Sequence, residues 1–234
     1  MIRWYSTGLT AFRIVVTGAV CGLFSHAACA ADTGAAPFEL PEITVISTTP
    51  VGGTGIAEEK YPGNVQIINQ KDLPQNAQSL PEVLDQLVGS VNVNSTQGNP
   101  SVVDLNYRGF TASPVLGTPQ GVSVFLDGMR VNEPFGDVVS WDLIPQIAIA
   151  NITMVPGSNP VYGLNTLGGA IAMSTKRGFT HEGGEAKLTL GSFNRRSLEA
   201  EKGGHHENTD YYFATSLYDD SGWATYNPST VRQF

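Results

Sequence analysis

Alternation of apolar and polar positions, rather than helical periodicity, dominates this chain. Val91-Asn92-Val93-Asn94 alternates as a half-buried strand. Val122-Ser123-Val124-Phe125-Leu126 runs into Asp127-Gly128, and Met129-Arg130-Val131-Asn132 follows. An Asp-Gly pair between two such runs predicts a hairpin, because both central residues of a type I′ turn need positive φ. Residues 65–68, 149–155 (closed by Pro156-Gly157) and 170–174 predict further short strands. One helix is expected. Ser79-Leu80-Pro81-Glu82 has the S-x-x-E spacing of a capping box with proline in the permissive first turn, and Val83, Leu84, Leu87 and Val88 share a face before Gly89. Together these elements predict an α+β domain over residues 63–178, a small mixed sheet with short helices.

From residue 184 the pattern changes. Glu185-Ala186-Lys187-Leu188-Thr189-Leu190 and Ser197-Leu198-Glu199-Ala200-Glu201 alternate strictly, and residues 211–218 form an aromatic-bearing run. Turn residues stand at Asn194-Arg195, Gly203-Gly204 and Asp219-Asp220-Ser221-Gly222. Strands of about ten residues with one apolar face and aromatics near the rims are the pattern of a transmembrane β-barrel, with a soluble antiparallel sheet as the competing reading. Residues 184–234 are therefore expected to be the first strands of an incomplete antiparallel barrel.

The first thirty residues carry Arg3 and Arg13, a short apolar stretch from Ile14 to Phe24, and the small-residue site Ala28-Cys29-Ala30. That order predicts a secretory signal peptide over 1–30, the apolar run being shorter than the ~20 residues of a membrane-spanning helix. Cleavage there removes both cysteines and leaves the remainder more acidic than the full chain, whose net charge is -8. No disulfide framework or thiolate site then remains. Residues 31–62 read as a flexible segment holding one β-branched run, Glu42-Ile43-Thr44-Val45-Ile46-Ser47, between Pro41 and Pro50. A bare strand of this kind either pairs with the sheet edge of another protein or docks on its own domain.

An acidic balance excludes a phosphate-binding nucleic-acid face. Gly163-Leu164-Asn165-Thr166-Leu167-Gly168 has the glycine spacing of a phosphate loop, but Gly169-Ala170 stand where Lys-Ser/Thr is required. No Gly-x-Ser-x-Gly elbow occurs. His205 and His206 are adjacent, which on a strand turns them to opposite faces and suits one metal poorly. No catalytic residue, metal site or cofactor is expected, and an enzyme is disfavoured.

Read in order, several segments resemble the N-terminal part of TonB-dependent outer-membrane receptors. Residues 42–47 are similar to a TonB box. The segment from Leu80-Pro81-Glu82 to Gly89-Ser90-Val91 is similar to the family's helix and "PGV" turn, with Val88 in place of proline. Asn106-Tyr107-Arg108-Gly109-Phe110 resembles "IRGF", and Leu126-Asp127-Gly128-Met129-Arg130-Val131-Asn132 resembles "DGVPVN". Tyr162-Gly163 through Gly168-Gly169-Ala170-Ile171 to Lys176 resembles "YGSGAIGGVINIVTK". Ile152 to Ser158 stands where the family has "IEVLRGP", with Thr153 and Pro156 replacing the charged Glu and Arg, so ion pairing by those two positions does not carry over.

The resemblance implies a plug domain inside a barrel of about 22 strands. It implies residues 42–47 as the TonB-binding strand, an extracellular ligand (a metal chelate, most often iron–siderophore), and outer-membrane lipid around the barrel. Segments 109–121 and 133–141 are then candidate ligand-contacting loops. The residues after 184 suffice for three or four strands, so the chain is expected to be part of a longer receptor. The alternative is a free-standing periplasmic plug-like binding module.

Overall fold

The structure, a computed structural model, describes residues 62–234 apart from 75, 76, 78 and 100, together with Val45, Ile46, Lys60 and the pair Ile56–Ala57. The expected signal peptide and Glu42, Ile43, Thr44 and Ser47 lie outside the described residues. The two described residues of the TonB-box-like run form β1 (Val45–Ile46), which pairs antiparallel with β2 (Ile56–Ala57). This pairing is with the same N-terminal segment, not with the sheet of the 63–178 domain.

The centre of the molecule is a five-stranded mixed sheet. Its strands are β3 (Gln66–Asn69), β7 (Val122–Leu126), β8 (Met129–Arg130), β9 (Ile149–Pro156) and β10 (Gly169–Thr175), in the order β3-β9-β10-β7-β8. β10 runs parallel to β7 and antiparallel to β9. Alternation sorts the side chains. Val122, Val124, Ile152, Met154, Ile171 and Met173 face the main core, where α1 (Leu80–Leu87) adds Leu80, Val83 and Leu84. Phe125, Val155 and Ala170 face a second, smaller core closed by Tyr162. Each buried Val, Leu, Ile, Met or Phe among them contributes about 1.5–3 kcal/mol by leaving water.

A three-stranded antiparallel sheet, β4 (Val91–Ser95), β5 (Val103–Tyr107) and β6 (Phe110–Ala112), lies beside it. The last two strands were not anticipated, although Val103, Leu105 and Tyr107 are buried and alternate with Asp104 and Asn106. Two details of the helix differ from expectation. Ser79 is its N-cap, but its side chain makes no capping bond. The helix ends at Val88, which is extended and donates its N–H to the Leu84 carbonyl at 2.8 Å, so Gly89 is not needed in a left-handed conformation. A proline at 88 could not donate that bond.

The remaining strands, β11 (Gly183–Leu190), β12 (Arg196–His206), β13 (Thr209–Asp220) and β14 (Ser229–Gln233), form an antiparallel sheet in sequence order. β14 had no counterpart in the sequence reading. Gly203-Gly204 was expected to be a turn and lies instead inside β12, with the chain reversing after His206. The glycines serve close approach. A Cβ on Gly203 would sit 2.0 Å from the His181 carbonyl oxygen, and one on Gly178 would sit 2.2 Å from that of Gly204. The segment joining β10 to β11 thus crosses directly over β12.

Candidate functional site

The Asp127-Gly128 turn marks one end of the central sheet. Asp127 and Gly128 have φ of 48° and 82°, as type I′ demands, and the Asp127 carboxylate accepts bonds from the Thr175 N–H (2.8 Å) and hydroxyl (2.7 Å). At the opposite end, segments 113–120, 131–141 and 157–168 converge. Segment 113–120 is shaped by its own side chains. Gln120 mimics a strand partner for Ser113, accepting its N–H at 2.9 Å and donating to its carbonyl at 3.1 Å. The Ser113 hydroxyl donates to Asp104. The Ser113 carbonyl also accepts the Val139 N–H at 2.9 Å, which joins the first two segments.

The second joint is a charged one. Asp137 accepts from Arg130 Nη2 at 2.9 Å and from Asn165 Nδ2 at 2.7 Å, linking segments 131–141 and 157–168. Beneath it the buried Asn132 amide accepts the Val124 N–H at 2.7 Å and donates to the carbonyls of Val122 (3.1 Å) and Asp137 (3.2 Å). One side chain therefore completes the edge of β7. Replacing Asn132 by alanine should lower unfolding free energy by about 2 kcal/mol, because backbone groups on β7 are left buried without a partner. The midpoint of a urea titration in detergent checks this.

The tips of these segments are apolar and exposed: Leu116 at 57%, Phe135 at 78% and Leu164 at 86% of full exposure. Leu116 packs over Gly136, whose φ is 77° and where an added Cβ would meet Leu116 at 2.5 Å. The tip of the β4–β5 hairpin comes against segment 221–228, with a Cβ on Gly98 reaching 2.3 Å from the Asn227 amide.

The residues singled out by motif are spread over the fold and act as scaffold. Arg108 (φ 51°) and Gly109 (φ 86°) form the β5–β6 turn, and the exposed Arg108 lies over the Tyr107 ring at 5.2 Å. Burial pushes the Tyr107 phenol above its ordinary pKa, and the Arg108 charge pulls partly against that. Phe110 occupies the space that side chains on Gly121 and Gly168 would need. Tyr162 is buried edge-on against Phe125 at 5.6 Å, and Gly163 follows with φ 87°. Gly169 lets β10 pass the Val155 carbonyl, 2.6 Å from where a Cβ would be. The sequence reading missed Arg130, Asn132, Asp137 and Asn165 as a set; the Asp137–Asn165 link is between distant residues and leaves no local pattern.

The β11–β14 sheet has two chemically distinct faces. Glu185, Lys187 and Thr189 on β11, Glu199 and Glu201 on β12, and Tyr212 and Tyr218 on β13 line clefts of about 70, 100 and 220 Å³ against the central domain. The register places Leu188 beside Leu198 and Leu217 on the other face, and Leu188, Leu190 and Phe213 are exposed. β12 and β13 are 11 and 12 residues long, the length a tilted strand needs to cross a bilayer. One buried ion pair ties the two parts. Lys176 Nζ, just after β10, lies 2.6 Å from Glu201 Oε2, and the Tyr212 hydroxyl donates to Glu201 as well.

Residues 57–170 match the family model of the TonB-dependent receptor plug domain. This part of the chain is such a plug, and antiparallel strands resembling the start of a barrel follow it. Over 142 residues (60% of the chain) it is 30% identical to a vitamin B12 transporter of Vibrio cholerae, and it spans 22% of that protein's length. Among solved structures, the alcaligin outer-membrane receptor FauA of Bordetella pertussis superposes with a TM-score of 0.55 at 13% identity, covering 76% of this chain and 30% of that one. The FpvA receptor of Pseudomonas aeruginosa bound to pyoverdine superposes at 0.54 and 14% identity, covering 71% and 23%.

Proposed function

We propose that this chain is the plug-bearing N-terminal portion of a TonB-dependent outer-membrane receptor that takes up a scarce ligand, a metal chelate, at the expense of energy delivered by TonB. The observation that carries this reading is the two-faced β11–β14 sheet. It turns charged and polar side chains toward the plug and leucines and Phe213 away from it, as a wall between a filled lumen and lipid must. On this reading β11 leaves the plug on the periplasmic side, the Asp127-Gly128 turn lies on that side too, and the three converging segments face the outside. The run at 42–47 serves TonB by strand addition, which uses backbone bonds and tolerates sequence variation. The names of the relatives, a vitamin B12 transporter and outer-membrane receptors for alcaligin and pyoverdine, support a bulky chelate as cargo.

The test is fractionation of a Gram-negative cell expressing the tagged chain, with the periplasmic domain of TonB as bait. The chain should sediment with outer membranes and be retained by TonB. A chain found free in the periplasm and not retained overturns the proposal.

A further inference from the structure

Between residues 96 and 170 the sequence holds two basic side chains, Arg108 and Arg130, and five acidic ones, Asp104, Asp127, Glu133, Asp137 and Asp142. The structure leaves neither base free for an incoming anion at the converging end. Arg130 is held by Asp137 at 2.9 Å. Arg108 sits on the β5–β6 turn, at the end of those strands away from segments 96–102 and 113–120. Segments 96–102, 109–121, 157–168 and 221–228 carry no charged residue. In the β11–β12 turn, Arg195 is committed to Asp220 at 2.8 Å; the exposed Arg196 donates to Asn194 at 3.0 Å and pairs in register with Leu190, on the leucine-bearing face turned away from the plug. What the end presents instead is Leu116, Phe135 and Leu164 at its tips, the exposed Trp223 and Tyr226 on segment 221–228, and amides such as Gln97, Asn99 and Asn227.

Resting on the receptor reading above, we infer that the ligand held by this surface is an uncharged chelate or macrocycle with a substantial apolar exterior, and not an anionic one. A polyanion loses hydration on entering such a surface and needs guanidinium or ammonium donors in exchange. The ionised groups of the plug segments here, Glu133 and the Asp137–Arg130 pair, give it repulsion or nothing, and Arg195 beside segment 221–228 is already neutralised by Asp220. A neutral chelate meets what is present: flat aromatic and branched apolar side chains for its exterior, amide groups for its few polar atoms. Segment 113–120 is already tied by Gln120 and Val139, so little is left to order on contact.

Equilibrium dialysis of the full chain in detergent tests this with four labelled probes: cyanocobalamin, a neutral ferric trihydroxamate, ferric dicitrate and a triply anionic ferric tris-catecholate. Saturable retention of at least one neutral probe is expected, with both anionic probes bound at least tenfold more weakly. Phe135→Ala with Leu164→Ala, both exposed and safe for folding, should weaken the neutral probe at least fivefold. If an anionic probe binds as well as or better than the neutral ones, the charge assignment is overturned and the receptor reading stands. If no probe is retained while TonB still is, the apolar tips are not a ligand surface and the inference fails. Loss of TonB retention counts against the receptor reading alone.

Discussion

Lys176→Met is expected to destabilise the chain by about 3 kcal/mol, the largest single effect on folding anticipated for a residue outside the two cores. The Lys176 and Glu201 side chains keep 3% and 9% of their exposure although the clefts around them are polar. Removing the ammonium leaves a carboxylate buried beside the Tyr212 hydroxyl with no counter-charge, which is where breaking such pairs becomes costly. The double change Lys176→Met with Glu201→Leu should recover most of the loss, because it removes the stranded charge and fills the space with apolar atoms. Urea midpoints of the two variants in detergent decide this. Equal losses in both would mean that the pair itself, rather than the orphaned charge, sets the stability. The same variants report on coupling between plug and wall. With the tie cut, amide exchange in β9 and β10 should speed more than in α1, since Lys176 leaves directly from β10 and its own N–H bonds the Ala148 carbonyl at 2.8 Å.

The parts of the fold that were legible are those whose cause is local. The Asp127-Gly128 hairpin needs two positive φ values, which the residue types announce. Residues 149–155 and 170–174 are short apolar runs between turn residues and became the central strands β9 and β10. Misreadings arose where a residue's role is set by something distant. Gly203-Gly204 has the composition of a turn, yet Gly203 is there to admit the His181 carbonyl and Gly204 to admit the Tyr211 side chain. Ser79 and Glu82 have the spacing of a capping box, but spacing alone did not bring the Ser79 hydroxyl to a backbone donor. The converging end of the plug follows the same rule. Segments 109–121 and 133–141 were recognisable as long Gly- and Pro-bearing loops. Their joint to 157–168 was not, because it depends on Asn165 and Asp137, 28 residues apart, meeting in space.

Val45→Pro is expected to weaken binding of the periplasmic TonB domain at least tenfold, about 1.4 kcal/mol or more. Strand addition draws its affinity from backbone bonds, and proline supplies no N–H and fixes φ near -65°. β1 gives this prediction a second arm. Val45 pairs with Ala57 and Ile46 with Ile56, so one edge of the short strand proposed to receive TonB is already occupied by β2. A two-residue ladder is weak, and it acts as a competitor that lowers the fraction of chain ready to bind. Ile56→Pro should break that internal pair while leaving 42–47 intact, and so raise the apparent affinity for TonB by about two- to fivefold. Isothermal titration of both variants against the unmodified chain separates the possibilities. Opposite changes are the expected result. Unchanged affinity after Val45→Pro would show that TonB does not use this strand, and a fall after Ile56→Pro would show that β2 belongs to the recognised surface rather than competing with it.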